Sequence, residues 1–177
     1  MKKERILAGL LSAVLAVLAV RVLIGWPASD GEVVPAALDP AEPFYPVYFA
    51  SRENGLLAPE FQQGSPTIDS VLARLLAGPS LQHLVGALPA ETAVLGYSQA
   101  GGTLYVSFSH HLVTNHPGGS TGEILTVYSI VNSLAVLAGV EQVQILVENQ
   151  VIDTLAGHLN LRRALRPDYS ALGASVL

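Results

Sequence analysis

Apolar residues run almost unbroken from Ile6 to Val20, and after a lone Arg21 they resume through Val22, Leu23 and Ile24 to Gly25 and Trp26. That length is enough to cross a bilayer, which takes about 20 apolar residues in a helix. The stretch has no polar face, so it does not read as a core helix of a folded domain. Lys2, Lys3 and Arg5 precede it, and the positive-inside rule then keeps the N-terminus cytoplasmic and places everything after Trp26 outside. Arg21 lies close enough to the exit end to snorkel to the interface beside Trp26. A cleaved signal peptide with Ile6 to Val20 as its apolar core is the competing reading, and the bulky Trp26 fits poorly where a cleavage site wants a small side chain.

Beyond the leader the pattern changes twice. Pro27, Pro35, Pro40, Pro43 and Pro46 stand among small and acidic residues, a composition that sustains neither helix nor central strand and reads as a stiff tether. From Val47 the alternation is that of strands and helices. Val47 to Ala50 and Leu56 to Phe61 form a predicted hairpin about Asn54-Gly55. Ile68, Val71, Leu72, Leu75 and Leu76 recur at helical spacing, with Ser65 or Thr67 to cap the start and Gly78-Pro79 to end it. Thr92 to Ser98 and Thr103 to Ser109 make a second predicted hairpin about Ala100-Gly101-Gly102. Ser120-Thr121-Gly122-Glu123 matches a capping box and opens a long helix with Ile124, Val127, Tyr128, Val131, Leu134, Ala135 and Ala138 as its apolar stripe. Val143 to Glu148 is the last full strand, turning at Asn149-Gln150 into Val151 and Ile152. The expectation is an α+β two-layer sandwich with two helices on one face of a mixed or antiparallel sheet, preceded by an N-terminal transmembrane helix. The expected divisions are 1–26 for tip and anchor, 27–45 for the linker, 46–165 for the domain and 166–177 for a tail.

Composition narrows the chemistry. The 177 residues contain no cysteine, which removes disulfides, thiolate ligands, cysteine nucleophiles and cysteine lipidation together. The net charge is −5 and both lysines sit at the N-terminal tip, so no basic patch is available for phosphate and a nucleic-acid partner is disfavoured.

Four groups of residues carry possible chemistry. Gly96-Tyr97-Ser98-Gln99-Ala100-Gly101 is close to a hydrolase nucleophile elbow, but Ala100 replaces the second glycine and a strand follows where a helix is required. His110, His111 and His116, with His158 and Glu123 as further candidates, invite a metal; none has the spacing that sets two ligands on one helical face, and solvated loop histidines are the reading adopted. Gly118 to Gly122 before a helix could hold an anion, yet the lysine of a nucleotide loop is missing and capping explains the same residues. Asn132 within the long helix is expected to bond a neighbouring loop. Asp69, Glu123, Glu141, Glu148 and Asp153 are scattered and read as surface charge. No catalytic, cofactor-binding or metal-binding residue is assigned, and no cofactor is expected.

Val47-Tyr48-Phe49-Ala50, Leu75-Leu76-Ala77-Gly78-Pro79-Ser80, Ala87-Leu88-Pro89, Gly102 to Ser109, Gly119 to Glu123, Ile130-Val131-Asn132-Ser133-Leu134 and Thr154-Leu155-Ala156-Gly157-His158, in that order and spacing, resemble the GerM domain of the sporulation and spore germination family. The resemblance spans residues 46–163. It implies an α+β module of bacterial envelope proteins without recognised catalytic residues or cofactor, similar in fold to ring-building modules of secretion systems. The germination protein of that name carries paired, lipid-anchored copies and acts in a channel-like complex between mother cell and forespore. This sequence departs from it in holding one copy and in having an apolar leader in place of a lipobox cysteine.

The expected function is therefore a non-enzymatic protein-interaction or assembly module, tethered to the cell membrane by a single pass with its domain outside. Its partners are expected to be envelope proteins, including other copies of itself. The alternative is an envelope sensor of a small ligand such as a peptidoglycan fragment, with the His110 to Gly122 loop as its mouth. A hydrolase using Ser98 or a histidine-bound metal ranks third.

Overall fold

The computed structural model describes residues 42–170. The apolar leader, most of the proline-rich tether and the last seven residues lie outside that range, so the expected anchor does too; among the described residues no helix is long and apolar enough to cross a membrane.

The chain enters through β1 (Phe44–Ser51), turns into β2 (Leu57–Gln63), and continues through α1 (Ile68–Ala77), the two-residue β3 (Leu84–Val85), β4 (Val94–Ala100) and β5 (Thr103–Phe108). A single-turn helix α2 (His111–Thr114) precedes the long α3 (Ser120–Leu134), and β6 (Gln142–Val147) and β7 (Gln150–Val151) follow. Both predicted hairpins form. Asn54 Oδ1 accepts from the Leu56 amide at 3.0 Å to close the first turn. Gly101 and Gly102 both take positive φ in the second, the conformation a two-residue hairpin requires. Thr67 caps α1 as expected: its hydroxyl accepts from the Ser70 amide at 3.1 Å while Ser70 Oγ accepts from the Thr67 amide at 2.9 Å.

The expected single sheet is instead two. One has the order β2-β1-β3 and is antiparallel; the other has the order β4-β5-β6-β7, with β5 and β6 parallel between antiparallel neighbours. The reason lies on the free side of β1. Main-chain groups alternate along an antiparallel strand, and those of Ser51 bond β2 through Leu56, so the groups of Tyr48 point away from β2. β3 pairs only with Ala50 and Ser51, and past it the edge is closed by side chains of α3. Ser129 Oγ donates to the Tyr48 carbonyl at 2.6 Å, and the Tyr48 amide donates to Ser133 Oγ at 2.8 Å. Ser129 and Ser133 are one helical turn apart, so one helix face meets both groups of a single residue. Helix side chains thus occupy the edge that a further strand would have needed.

Both helices pack on β1, and α3 also touches α1, β2 and β6. The apolar side chains form one cluster: Val47 and Phe49 from β1, Val71 and Leu75 from α1, Val106 and Phe108 from β5, Ile130 and Leu134 from α3, and Ile145 from β6 are all buried in it. Helix α3 is consequently not half-exposed, as an apolar stripe implies. Every residue from Ser129 to Leu134 is buried, whereas Ile124, expected on the stripe, is on the surface. Buried polar side chains on such a helix need partners, and each finds one outside the helix.

Candidate functional site

Two buried carboxylates organise the loops around the core. Glu123 is fully buried rather than on the surface, and it does not complete a capping box: Gly119 is the N-cap of α3, without any side-chain cap bond. One residue further along than a box requires, the Glu123 side chain points away from the helix start and into the loop that follows β7. There Glu123 Oε1 accepts from the amides of Leu155 at 2.9 Å and Ala156 at 3.1 Å and from the Thr154 hydroxyl, and Oε2 accepts from the His158 amide at 2.8 Å. Burial pushes this carboxyl up, but the Thr154 hydroxyl and the three amides outweigh it and hold it at about 2.

Glu60 repeats the device on β2. It ion-pairs with Arg74 of α1, and its Oε2 accepts from the amides of Ser80 at 2.9 Å and Leu81 at 3.1 Å. Burial raises this carboxyl as well, and Arg74, the two amides and the Ser80 hydroxyl bring it down to about 2. Arg74 lies over the Phe49 ring with its guanidinium carbon 5.9 Å from the centroid, which gives the cation an apolar seat. Neither glutamate has spare acceptor capacity pointed at solvent, so both act as fasteners of surface loops. The sequence holds a partial signal for them, since Gly157 and Gly78 mark tight loops, but nothing in it says which carboxylate those loops enclose.

Ser98 and the histidines are kept apart. Ser98 lies on the outer face of the second sheet, opposite Tyr105, in a shallow groove of about 270 Å³ that Gly96, Ser107, Leu146 and Asn149 also line. No histidine or carboxylate lines this groove or bonds the Ser98 hydroxyl, so among the described residues no base stands ready to activate it. His110 and His111 stack with centroids 3.9 Å apart, yet they face different carboxylates: His110 Nδ1 is 3.6 Å from Glu148 and His111 Nε2 is 3.5 Å from Glu91. His116 holds the glycine loop in place. Its Nδ1 accepts from the Gly118 amide at 3.0 Å, and its Nε2 stands 3.2 Å from the Thr126 hydroxyl, whose proton goes to the Ala87 carbonyl at 2.7 Å. That chain of bonds makes His116 the neutral Nε2–H tautomer. His158 contributes its amide to Glu123 and its ring to the rim of the 153–160 loop. Among the described residues no cluster of three or more metal-ligating side chains converges.

The remaining candidates each have a partner elsewhere in the fold. Asn132 bonds the C-terminal segment, as expected of it, through Asp168. Asp69 accepts from the Tyr97 hydroxyl at 2.8 Å, and Asp153 takes the Arg162 guanidinium on both oxygens at 2.6 and 2.7 Å. Glu148 accepts from the His110 amide at 2.8 Å, while Glu141 lies 3.7 Å from Arg166.

The fold is thus a two-sheet α+β module built about one buried helix, with its interior carboxylates committed to loop amides. The chain belongs to the Germane family, described as sporulation and spore germination, whose profile matches residues 46–153. Solved structures show the same fold. The tandem GerMN domains of the sporulation protein GerM from Bacillus subtilis align at 17% identity over 75% of this chain and 49% of that one, with a TM-score of 0.57. This chain therefore spans about half the length of that tandem-domain chain. The first GerMN domain of the same protein aligns at 17% identity over 67% of this chain and 92% of that one, TM-score 0.53. A candidate lipoprotein from Clostridium perfringens aligns at 20% identity over 71% of this chain and 87% of that one, TM-score 0.51. Among curated proteins none matches.

Proposed function

We propose that this chain is a membrane-tethered, extracytoplasmic module of the bacterial cell envelope that works by binding protein rather than by catalysis. The observation that carries the reading is the use made of the interior polar groups. Glu60, Glu123, Ser129, Ser133 and Asn132 are each bonded to main-chain groups of another segment, so the polar interior shapes a surface instead of forming a reactive centre. The leader with Lys2, Lys3 and Arg5 ahead of it supports export and tethering. The description of the Clostridium perfringens relative as a candidate lipoprotein is in keeping with an envelope location, and the family's description ties the module to sporulation and germination. The Bacillus subtilis protein sets two such domains in tandem, which supports domain-to-domain contact as a mode of action.

Two measurements test this. A periplasmic-type reporter fused after Trp26 is expected to be active only outside the cytoplasm, and cross-linking from intact membranes is expected to recover either this chain's own dimer or an envelope protein. A cytosolic reporter, or a chain that stays monomeric and recovers nothing, sinks the proposal.

The groove beside Ser98 and Tyr105 favours a second reading, a receptor for a small envelope ligand. It differs in place from the alternative that sets the mouth at the His110 to Gly122 loop, where His116 is already bonded to Gly118 and Thr126. Muropeptide fragments that raise the melting temperature of the chain support this reading, because a ligand held only by the folded state stabilises it.

A further inference from the structure

The groove beside Ser98 lies on the face of the second sheet and not along a strand edge. Gly96 and Ser98 of β4, Tyr105 and Ser107 of β5 and Leu146 of β6 alternate onto that face in register, and Asn149 joins them from the turn after β6. Main-chain groups lie in the plane of a sheet, so whatever rests on this face is met by side chains.

Gly96 is the residue that shapes the groove. Its φ lies outside the left-handed region, and a Cβ on it would meet nothing within 4 Å. The irregularity of β4 falls between Val94 and Gly96, and Gly96 itself is back in register opposite Ser107. None of backbone, packing and bulge therefore demands a glycine, which weakens the interior of a strand. Its effect here is to open the groove down to the main chain, as a close-lying ligand requires.

The polar groups around this opening are unspent. The Ser98 hydroxyl and the Asn149 side-chain amide bond nothing among the described residues. Ser107 Oγ accepts from the Asn149 main-chain amide at 2.9 Å and keeps its own proton to donate. Tyr105 is 37% exposed and gives the groove an aromatic platform. Tyr97, by contrast, spends its hydroxyl on Asp69.

We propose that this groove binds a neutral sugar ring, its C–H face on Tyr105 and its hydroxyls toward Ser98, Ser107 and Asn149. Hydroxyl and carboxamide side chains both donate and accept, which matches ring hydroxyls that do the same. No charged residue lines the groove, so a carboxylate, phosphate or ammonium would lose water there without a counter-charge. A purely aliphatic ligand would cover the Ser107 proton and the Asn149 amide with nothing to bond. An extended peptide is poorly received at the edges too. Pro59 pairs with Tyr48, whose main-chain groups turn away from β2, so it has no N–H to offer on the open side, and β4 is interrupted by its bulge. The volume of about 270 Å³ suits one ring, since pockets for drug-sized ligands begin at about 300 Å³. The inference rests on the small-ligand reading of this groove and names the chemistry of the ligand.

The test uses the full chain, extracted in a detergent without a sugar head group. The trimer of N-acetylglucosamine is the neutral probe, and muramyl dipeptide, which carries a carboxylate, is the charged one. The trimer is expected to raise the melting temperature and to bind by calorimetry. Gly96→Val fills the groove with a side chain that suits a strand, so binding should be lost while the unliganded melting temperature is kept or raised. Tyr105→Ala should weaken binding about tenfold, the scale of one aromatic contact, and Tyr105→Phe should bind like the parent. If Gly96→Val does not fold, Ser98→Glu at an exposed position obstructs the same groove and gives the same readout. Trimer binding unchanged in both the groove-filling variant and Tyr105→Ala overturns the inference. A response to muramyl dipeptide alone, lost in the groove-filling variant, overturns the neutral-sugar chemistry and leaves the small-ligand reading standing. If neither probe shifts the melting temperature, both fall.

Discussion

Asn132, in the last turn of α3, holds Asp168 by a two-way exchange: its Nδ2 donates to the Asp168 carbonyl at 2.8 Å and its Oδ1 accepts from the Asp168 amide at 3.0 Å. A side-chain amide here stands in for a peptide of a neighbouring strand and docks the C-terminal segment, which brings Tyr169 within 6.0 Å of Tyr48 between ring centroids. Asn132→Ala deletes both bonds and is expected to cost about 2 kcal/mol, the usual scale for two neutral hydrogen bonds at a buried position. Denaturant melts give the magnitude, and faster amide exchange at 165–170 with little change in β5 locates it.

Glu123→Gln keeps the shape and gives up the charge. The single side-chain amide nitrogen must then face donors already aimed at an oxygen, so a loss of about 3 kcal/mol is expected, and Glu123→Ala, which strands three amides, should lose more. Urea midpoints of the two variants decide this; equal stability with the parent would show that the 154–158 loop does not depend on the carboxylate.

Acid should act through the same two groups. Glu60 and Glu123 ordinarily titrate at 4.5 and are held at about 2 in the folded chain. A depressed folded value means the unfolded chain takes up protons first, so the stabilisation is complete above pH 4.5 and disappears as pH falls from there to about 2. Each group contributes about 3 kcal/mol over that window. Stability measured at several pH values should therefore fall with a slope near two protons between the limits, and Glu123→Gln should remove about one of them.

The serines that close the edge of β1 are expected to matter unequally. Ser129→Ala leaves the Tyr48 carbonyl without a partner and Ser133→Ala strands the Tyr48 amide; each should cost about 1 to 2 kcal/mol, the amide more, since buried N–H groups are the less often left unpaired. Equilibrium melts of the single and double variants check this, and a double variant less stable than the sum of the singles marks the pair as one unit.

Ser98 provides the converse expectation. With no base beside it, Ser98→Ala should change stability by less than about 0.5 kcal/mol, as for other exposed residues, and a serine-reactive phosphonate should leave the parent chain unlabelled. Stoichiometric labelling lost in Ser98→Ala would revive the hydrolase reading.

Most of the local structure was legible in the sequence, because it follows from short-range rules. Asn54-Gly55 and Gly101-Gly102 dictate tight turns, Thr67 caps a helix, and the alternation through Leu104, Val106 and Phe108 fixes a core face. The division into two sheets was not legible. It depends on Ser129 and Ser133 meeting Tyr48 across more than 80 positions of chain, and a helical serine ordinarily reads as solvent-facing. Glu123 misled for a related reason: serine three residues before a glutamate matches a capping box, but Gly119 with positive φ starts the helix one residue early. That shift turns the carboxylate inward, where the distant Thr154 to His158 loop supplies what the helix start does not. Glu60 carried no signal at all, since one acid in Leu57 to Gln63 looks like ordinary strand polarity until Arg74 and the Ser80 loop close on it.

The proline at position 59 also bears on the outer flank of the first sheet. It leaves that flank one donor short, so an extended chain laid along β2 would meet a gap in the ladder at that residue.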